Sequence, residues 1–269
     1  MQEVGTLRAM TWNTWWRFGG NWAERQVGIL QVVREQEPDL LGIQECWAEA
    51  ERTQADAIAE ELGGHAAFVP TGLPPAPEPA EYAEQENVAM GLGLVSRWPI
   101  TRILRAALPS EGRDNAALLA RVAHPEGPLR VVVGATSWEP DRTVETTLQV
   151  AALQRLVRED ASSRALPSLL LADLNYDRSQ QPLKGVLLLD AWDAADEGAD
   201  PRTLSSTNRF APPEAVDQYD RRIDHILFTP GYLGARARRT WIVRDEPGGL
   251  PPSDHYPVVT EIGWSTSGT

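Results

Sequence analysis

The run SLLLADLN at residues 168–175 is short, apolar without a break, and ends in a carboxylate and an amide. That pattern predicts a buried strand that delivers polar side chains at its tip. A second run of the same kind, DLLGIQE at 39–45, ends in Glu45. Two such strands bring acidic residues together on one edge of a sheet.

Outward from these runs the chain alternates strands and helices. Residues 6–12 alternate as a strand, and 22–36 set Val27, Leu30 and Val33 at helical spacing before Pro38. A helix is predicted over 53–62. The segment 70–86 carries five prolines and few large apolar residues, so it reads as loop. Further strands are predicted at 88–96, 116–123, 129–136, 222–228 and 257–262. A helix over about 143–160 has Val144, Leu148, Ala151, Ala152 and Leu156 on one face. No repeat is visible. Residues 1–264 read as a single domain, with 265–269 a frayed tail.

The composition limits what such a domain does. The chain has 269 residues, 42% of them hydrophobic, enough for one substantial core. Its net charge of −13 repels polyanions, which makes long nucleic acid a poor substrate and lowers the nuclease reading. A small-molecule substrate and a monomer are expected. No apolar run approaches the roughly 20 residues that span a bilayer, and the start MQEVGTLRAM lacks the regions of a signal peptide, so a cytoplasmic protein is expected. Cys46, the only cysteine, excludes an intramolecular disulfide and reads as a small residue beside a strand end. There is no phosphate loop, no His-Glu-x-x-His and no Gly-x-Ser-x-Gly elbow. Ser253-Asp254-His255 is not a hydrolase triad, because neighbours on one turn rarely aim at one another.

Five stretches place polar residues where a strand runs out: Asn13 in TWN, Glu45 in IQE, Asp173 and Asn175 in ADLN, Asp224 in RIDH, and Asp254 with His255 in SDH. Taken singly, each has an ordinary structural explanation, such as a capped turn, an Asx turn or a strand-edge carboxylate. Glu45 is the hardest to explain so, since a carboxylate ending an apolar strand needs a cation or donors to offset its desolvation. In order and spacing the five resemble the signature of the endonuclease/exonuclease/phosphatase superfamily, and GLGLVSRWPI at 91–100 is similar to a strand of that family. The resemblance runs from about residue 7 to 262. It implies a four-layer α/β-β/α sandwich, two mixed sheets packed face to face with helices outside.

The resemblance also implies a metal-dependent hydrolase acting on phosphoesters. Glu45 would bind Mg²⁺ (or Mn²⁺), with Asp254 completing the metal's surroundings. Asn13 and Asn175 would arrange the phosphate oxygens, and Asp173 would orient or deprotonate water. His255 would meet the phosphate or move a proton, with Asp224 fixing its tautomer. The chemistry fits, because phosphoester hydrolysis needs a hard cation, a base for water and neutral donors for the transition state.

Two features depart from the family. It usually carries a histidine in a Thr-His-Leu stretch after the strand corresponding to 129–136, and here the chain reads Thr136-Ser137-Trp138-Glu139-Pro140, so either Ser137 replaces that histidine or two residues are missing and Ser137-Trp138 belong to the segment after it. The chain also has 10 tryptophans, with Trp12, Trp15 and Trp16 around Asn13, Trp47 near Glu45, and Trp138 beside the lost histidine. Trp12 points opposite to Asn13 and reads as core. Trp15, Trp16, Trp47 and Trp138 are candidates for an aromatic substrate pocket, with core packing the competing explanation. Two functions follow. One is a phosphoesterase for a small or lipid-like phosphorylated molecule. The other is a repurposed enzyme of the same fold in which Asp173 and His255 do acid-base work on a substrate without phosphate. A non-catalytic binding protein ranks below both.

Overall fold

Strand alternation divides the side chains of this chain among three apolar interfaces, and that division builds the layers. The computed structural model describes residues 5–159, 166–231 and 233–264. The expected tail at 265–269 and the last residue of the helix expected over 143–160 lie outside them. The strands are β1 (Gly5–Asn13), β2 (Leu40–Ala48), β3 (His65–Pro70), β4 (Ala89–Ser96), β5 (Ile100–Ala107), β6 (Ala116–His124), β7 (Gly127–Ala135), β8 (Ser168–Asp173), β9 (Leu189–Asp190), β10 (Asp224–Phe228), β11 (Arg236–Ile242) and β12 (Val258–Trp264). The helices α1 (Trp22–Gln36), α2 (Gln54–Leu62) and α3 (Thr143–Arg158) connect some of them.

The strands form two six-stranded sheets, ordered β11-β12-β1-β2-β4-β3 and β5-β6-β7-β8-β10-β9. Each is mixed, with one parallel pair at its centre, β1 with β2 and β7 with β8. Leu7, Ala9 and Leu40 of the first sheet meet Leu169, Leu171 and Val133 of the second in the central core. Their sequence neighbours face outward. Met10, Trp12 and Ile43 pack beneath Ile29, Val33 and Ile58 of α1 and α2, and Val132 and Leu170 pack beneath Val150, Leu153 and Val157 of α3. The result is the expected four-layer sandwich. Cys46 is buried in the α1–α2 layer, where desolvation pushes its thiol up to about 12. Among the described residues no helix is long and apolar enough to cross a membrane.

The structure corrects two helix faces. On α1 the buried residues include Arg25, Gly28, Ile29, Val32 and Val33, while Val27 is 65% exposed. On α3, Val144 and Leu148 are 76% and 53% exposed, and the core face is Thr146, Gln149, Val150, Leu153 and Val157. Polar anchors set that rotation. Thr146 Oγ1 donates to the Ser137 carbonyl at 2.9 Å, and Gln149 accepts from the Ser137 N–H at 2.8 Å and donates to the Pro109 carbonyl. Apolar periodicity alone misses this, because α3 carries apolar residues on more than one side.

Four strands have no counterpart in the sequence reading: β3, β5, β9 and β11. All four are sheet edges. An edge strand pairs on one side only and needs little apolar patterning, and β5 is exposed along most of its length.

The sheets approach closely at Gly42, where an added Cβ would stand 2.5 Å from Cβ of Leu171. Gly42→Ala is therefore expected to destabilise the chain by about 2 kcal/mol, lowering the thermal midpoint by ~5 °C. A melting curve followed by circular dichroism checks this, and an unchanged midpoint contradicts the close approach.

Candidate active site

The strand ends that carry the polar residues meet because of strand direction. β1 and β2 run parallel and finish together, and β8 finishes opposite the start of β10, with Asp173 and Asp224 direct partners in the register. Residues 253–255 form the turn leading into β12, the other neighbour of β1. Asn13, Asp173, Asp224, Asp254 and His255 are all buried, and Glu45 is partly exposed.

Glu45 owes its direction to a bulge. The register of β2 against β4 shifts between Ile43 and Cys46, and Glu45 takes φ of 52°. Ile43 and Cys46 both stay in the outer core. The extra residue in between is free to turn its side chain to Asn13. A non-glycine residue in this region is strained, a feature that clusters at functional sites.

The amide of Asn13 donates to Glu45 Oε1 at 2.9 Å and to Asp173 Oδ2 at 3.0 Å, and its oxygen accepts from the Trp15 N–H at 2.9 Å. Asp173 Oδ1 accepts from the backbone N–H of Asn175 at 3.0 Å. Asn175, with φ of 57°, donates its side-chain amide to the Thr136 carbonyl. His255 Nδ1 lies 2.9 Å from Asp224 Oδ2. One ligand atom each from Asp173, Asp224 and His255 fall within 4.8 Å of one another. Two carboxylate oxygens, Glu45 Oε2 and Asp224 Oδ1, are closed to solvent and accept no hydrogen bond.

The electrostatics follow from burial. Desolvation and the neighbouring Asp254 push Glu45 up to about 8, against the pull of Asn13 and His255. Asp173 is pushed up to about 7 by desolvation and by Asp224. Asp254 is also raised by burial. Burial opposes the charge on His255, but Asp224 and Asp254 outweigh it and hold the imidazole well above its ordinary value. Arg25 sits beneath the site and is lowered to about 10 by burial. Its guanidinium donates to the carbonyls of Thr14, Pro252, Trp16 and Phe18.

Of the tryptophans, Trp16 and Trp47 are 2% and 5% exposed and pack with Val88 and Met90, away from solvent. Trp12 is core, and its indole N–H donates to the His255 carbonyl at 2.9 Å. Trp15 is partly exposed, its ring 5.2 Å from that of Phe210. Trp138 is partly exposed, and Gln218 Nε2 links its carbonyl (3.2 Å) with Asn175 Oδ1 (3.3 Å). Ser137 is buried and turns its hydroxyl to Glu145, Gln149 and Arg113.

Several positioning residues escaped the sequence reading. Ser253 Oγ donates to the Asn13 carbonyl at 2.7 Å and accepts from the His255 N–H at 3.1 Å. Thr203 Oγ1 accepts the N–H groups of Ile223 and Asp224, and Asn208 Nδ2 donates to the carbonyls of Ser253 and Asp254. Thr203 and Asn208 lie in a polar stretch with no local signal. Arg25 escaped because the sequence set the core face of α1 on Val27, Leu30 and Val33, and the structure turns it to Arg25, Ile29 and Val32.

Residues 10–255 match the Endonuclease/Exonuclease/phosphatase family. The fold is similar to that of an endonuclease/exonuclease/phosphatase from Beutenbergia cavernae DSM 12333, at 21% identity and TM-score 0.69, covering 97% of this chain and 72% of that one. It is also similar to the human Nocturnin catalytic domain with bound sulfate anion, at 18% and 0.72, covering 98% and 97%. A third likeness is to D. rerio TDP2 complexed with single strand DNA product, at 15% and 0.73, covering 96% and 99%. No curated protein matches the chain.

Two titration outcomes follow. Glu45 and Asp173 hold protons more tightly in the folded, metal-free chain than when unfolded, so their contribution to stability is fully present below the ordinary carboxyl range and is lost progressively as pH rises from there to about 7 and about 8. Glu45→Gln is expected to raise the metal-free thermal midpoint at pH 8.5 by about 4 °C, with a smaller gain at pH 6. A lower midpoint at both pH values contradicts a burial cost at Glu45. His255 should titrate well above an ordinary histidine in an NMR pH series, and Asp224→Asn should bring its pKa down. An unmoved titration would show that Asp224 does not hold the charge.

Proposed function

This chain belongs to the endonuclease/exonuclease/phosphatase family, and from that premise we propose that it is a divalent-metal phosphoesterase acting on a small or lipid-like phosphorylated molecule. The observation that carries this reading is Glu45 Oε2, a carboxylate oxygen shut from solvent with no donor, in a site that also gathers Asp173, Asp224 and Asp254. Arg25 gives its hydrogen bonds to backbone carbonyls, and His255 is committed to Asp224. The carboxyls outnumber those two cations, and burial holds protons on them while no cation is bound, so the donor set fits a hard cation with oxygen ligands.

Glu45 and Asp254 would hold the ion, Mg²⁺ or Mn²⁺. When bound, it supplies Lewis-acid polarisation of a phosphoryl oxygen. The chain's own residues do the rest. Asn13 holds Glu45 and Asp173 at fixed separation through its two donated bonds. Asp173, with its pKa brought near neutrality, accepts the proton of an attacking water. Asn175 fixes one oxygen of Asp173 through its backbone N–H and so leaves the base a single orientation. His255 gives Nδ1 to Asp224, which leaves Nε2 to donate to a phosphate oxygen or the leaving group. The net charge of −13 favours a small substrate over a long polyanion.

Turnover of p-nitrophenyl phosphate and bis-p-nitrophenyl phosphate, measured with Mg²⁺ or Mn²⁺ and again with chelator, tests the proposal. Metal-dependent hydrolysis is expected, falling by about 10³-fold in Glu45→Gln. Metal affinity by calorimetry should rise with pH up to about 8, where Glu45 releases its proton. No metal binding and no turnover across the panel would overturn the reading.

A further inference from the structure

Two asparagines at the site make the same local turn, and each carries an aromatic ring two residues on. Asn13 Oδ1 accepts the N–H of Trp15 at 2.9 Å, and Asn208 Oδ1 accepts the N–H of Phe210 at 2.9 Å. Both are Asx turns, which fix the direction of the following backbone. The opposite end of each asparagine grips the site. Asn13 donates to Glu45 and Asp173, and Asn208 donates to the carbonyls of Ser253 and Asp254. The rings so presented meet each other, with centroids 5.2 Å apart and planes tilted by 38°. Both are partly exposed, whereas Trp12 and Trp16 are closed off in the core. The Arg25 guanidinium also lies against Trp15, 4.8 Å from its ring centroid.

From this pairing we infer that Trp15 and Phe210 form an aromatic wall at the mouth of the site and that it receives a flat, unsaturated group attached to the phosphate. The inference rests on the phosphoesterase reading and adds the class of ester: aryl or heteroaryl in preference to simple alkyl. Rigid rings held by their backbone lose little entropy on stacking, so a flat ligand group gains contact at low cost. Asn208 is the positioning residue, since it ties Phe210 to the same turn that supplies Asp254 and His255. The wall therefore has a fixed place relative to the phosphate.

The test compares phenylphosphonate with methylphosphonate, which share the phosphonate group and differ in the ring. Each is titrated by calorimetry into the full chain loaded with Mn²⁺. Phenylphosphonate is expected to bind about tenfold more tightly, and Phe210→Ala to bring the two within about twofold. Phe210→Trp, which keeps a ring on the loop, should retain the preference, and a melting curve for each variant controls for folding. Equal binding of the two by the wild-type chain, or an undiminished preference in Phe210→Ala, overturns the wall while metal-dependent turnover still supports the phosphoesterase. If neither phosphonate binds and no phosphoester is turned over, the phosphoesterase reading fails and the wall falls with it.

Discussion

The side-chain amide of Asn13 spans the interface between the two sheets, donating to Glu45 of its own sheet and to Asp173 of the other. Both acceptors are carboxyls that burial makes reluctant to ionise. The bridge exists only when the sheets are stacked at their full closeness, which Gly42 permits against Leu171 and which the bond from Gln44 Nε2 to the Leu171 carbonyl, at 3.1 Å, holds in register. Sheet packing and site assembly are thus one event. A displacement of either sheet would separate Asn13 from Asp173 before it exposed much of the core.

Burying these carboxyls costs the fold stability, and the two bonds from Asn13 offset part of that cost. Carboxyls are gathered where water is scarce, and one oxygen of Glu45 has no donor at all. An apolar or neutral side chain would be easier to bury there. The strained backbone at Glu45 and Asn175 adds to that cost. The surrounding network offsets it: Arg25 ties the loops below, Ser253 joins the 253–255 turn to β1, and Thr203 and Asn208 hold the start of β10 and the turn from outside. Asp224 so held lies against His255, and with Asp254 it raises the pKa of the imidazole against the opposing effect of burial.

The position of the family's usual histidine shows how a local reading loses meaning without a neighbour. Ser137 does not face the carboxylates. Its hydroxyl and N–H belong to a buried set with Glu145, Gln149 and Arg113, and Glu145 is held down at about 2 by those donors despite its desolvation. An imidazole placed at 137 would enter that network and not the site. The next residue, Trp138, is tied to Asn175 by its backbone carbonyl, through Gln218 Nε2.

The central strands were legible in the sequence, because β1, β2, β4, β6, β7, β8, β10 and β12 are buried along most of their length and are written mainly in apolar residues. The polar residues that the fold brings together at Asn13, Glu45, Asp173, Asp224 and His255 were legible as a set, through their order and spacing, although each taken singly has an ordinary explanation. The edge strands β3, β5, β9 and β11 were not legible, because pairing on one side makes little demand on side chains. Nor were the rotation of α3, which Thr146 and Gln149 set through bonds to Ser137 and Pro109, or the sorting of the tryptophans into core and mouth. Asn208 and Phe210 share a local Asx turn, but nothing in that turn points to the site. Their contacts to Ser253, Asp254 and Trp15 join residues far apart in the chain, and only the stacking of two sheets brings such residues within reach of a hydrogen bond or a ring contact.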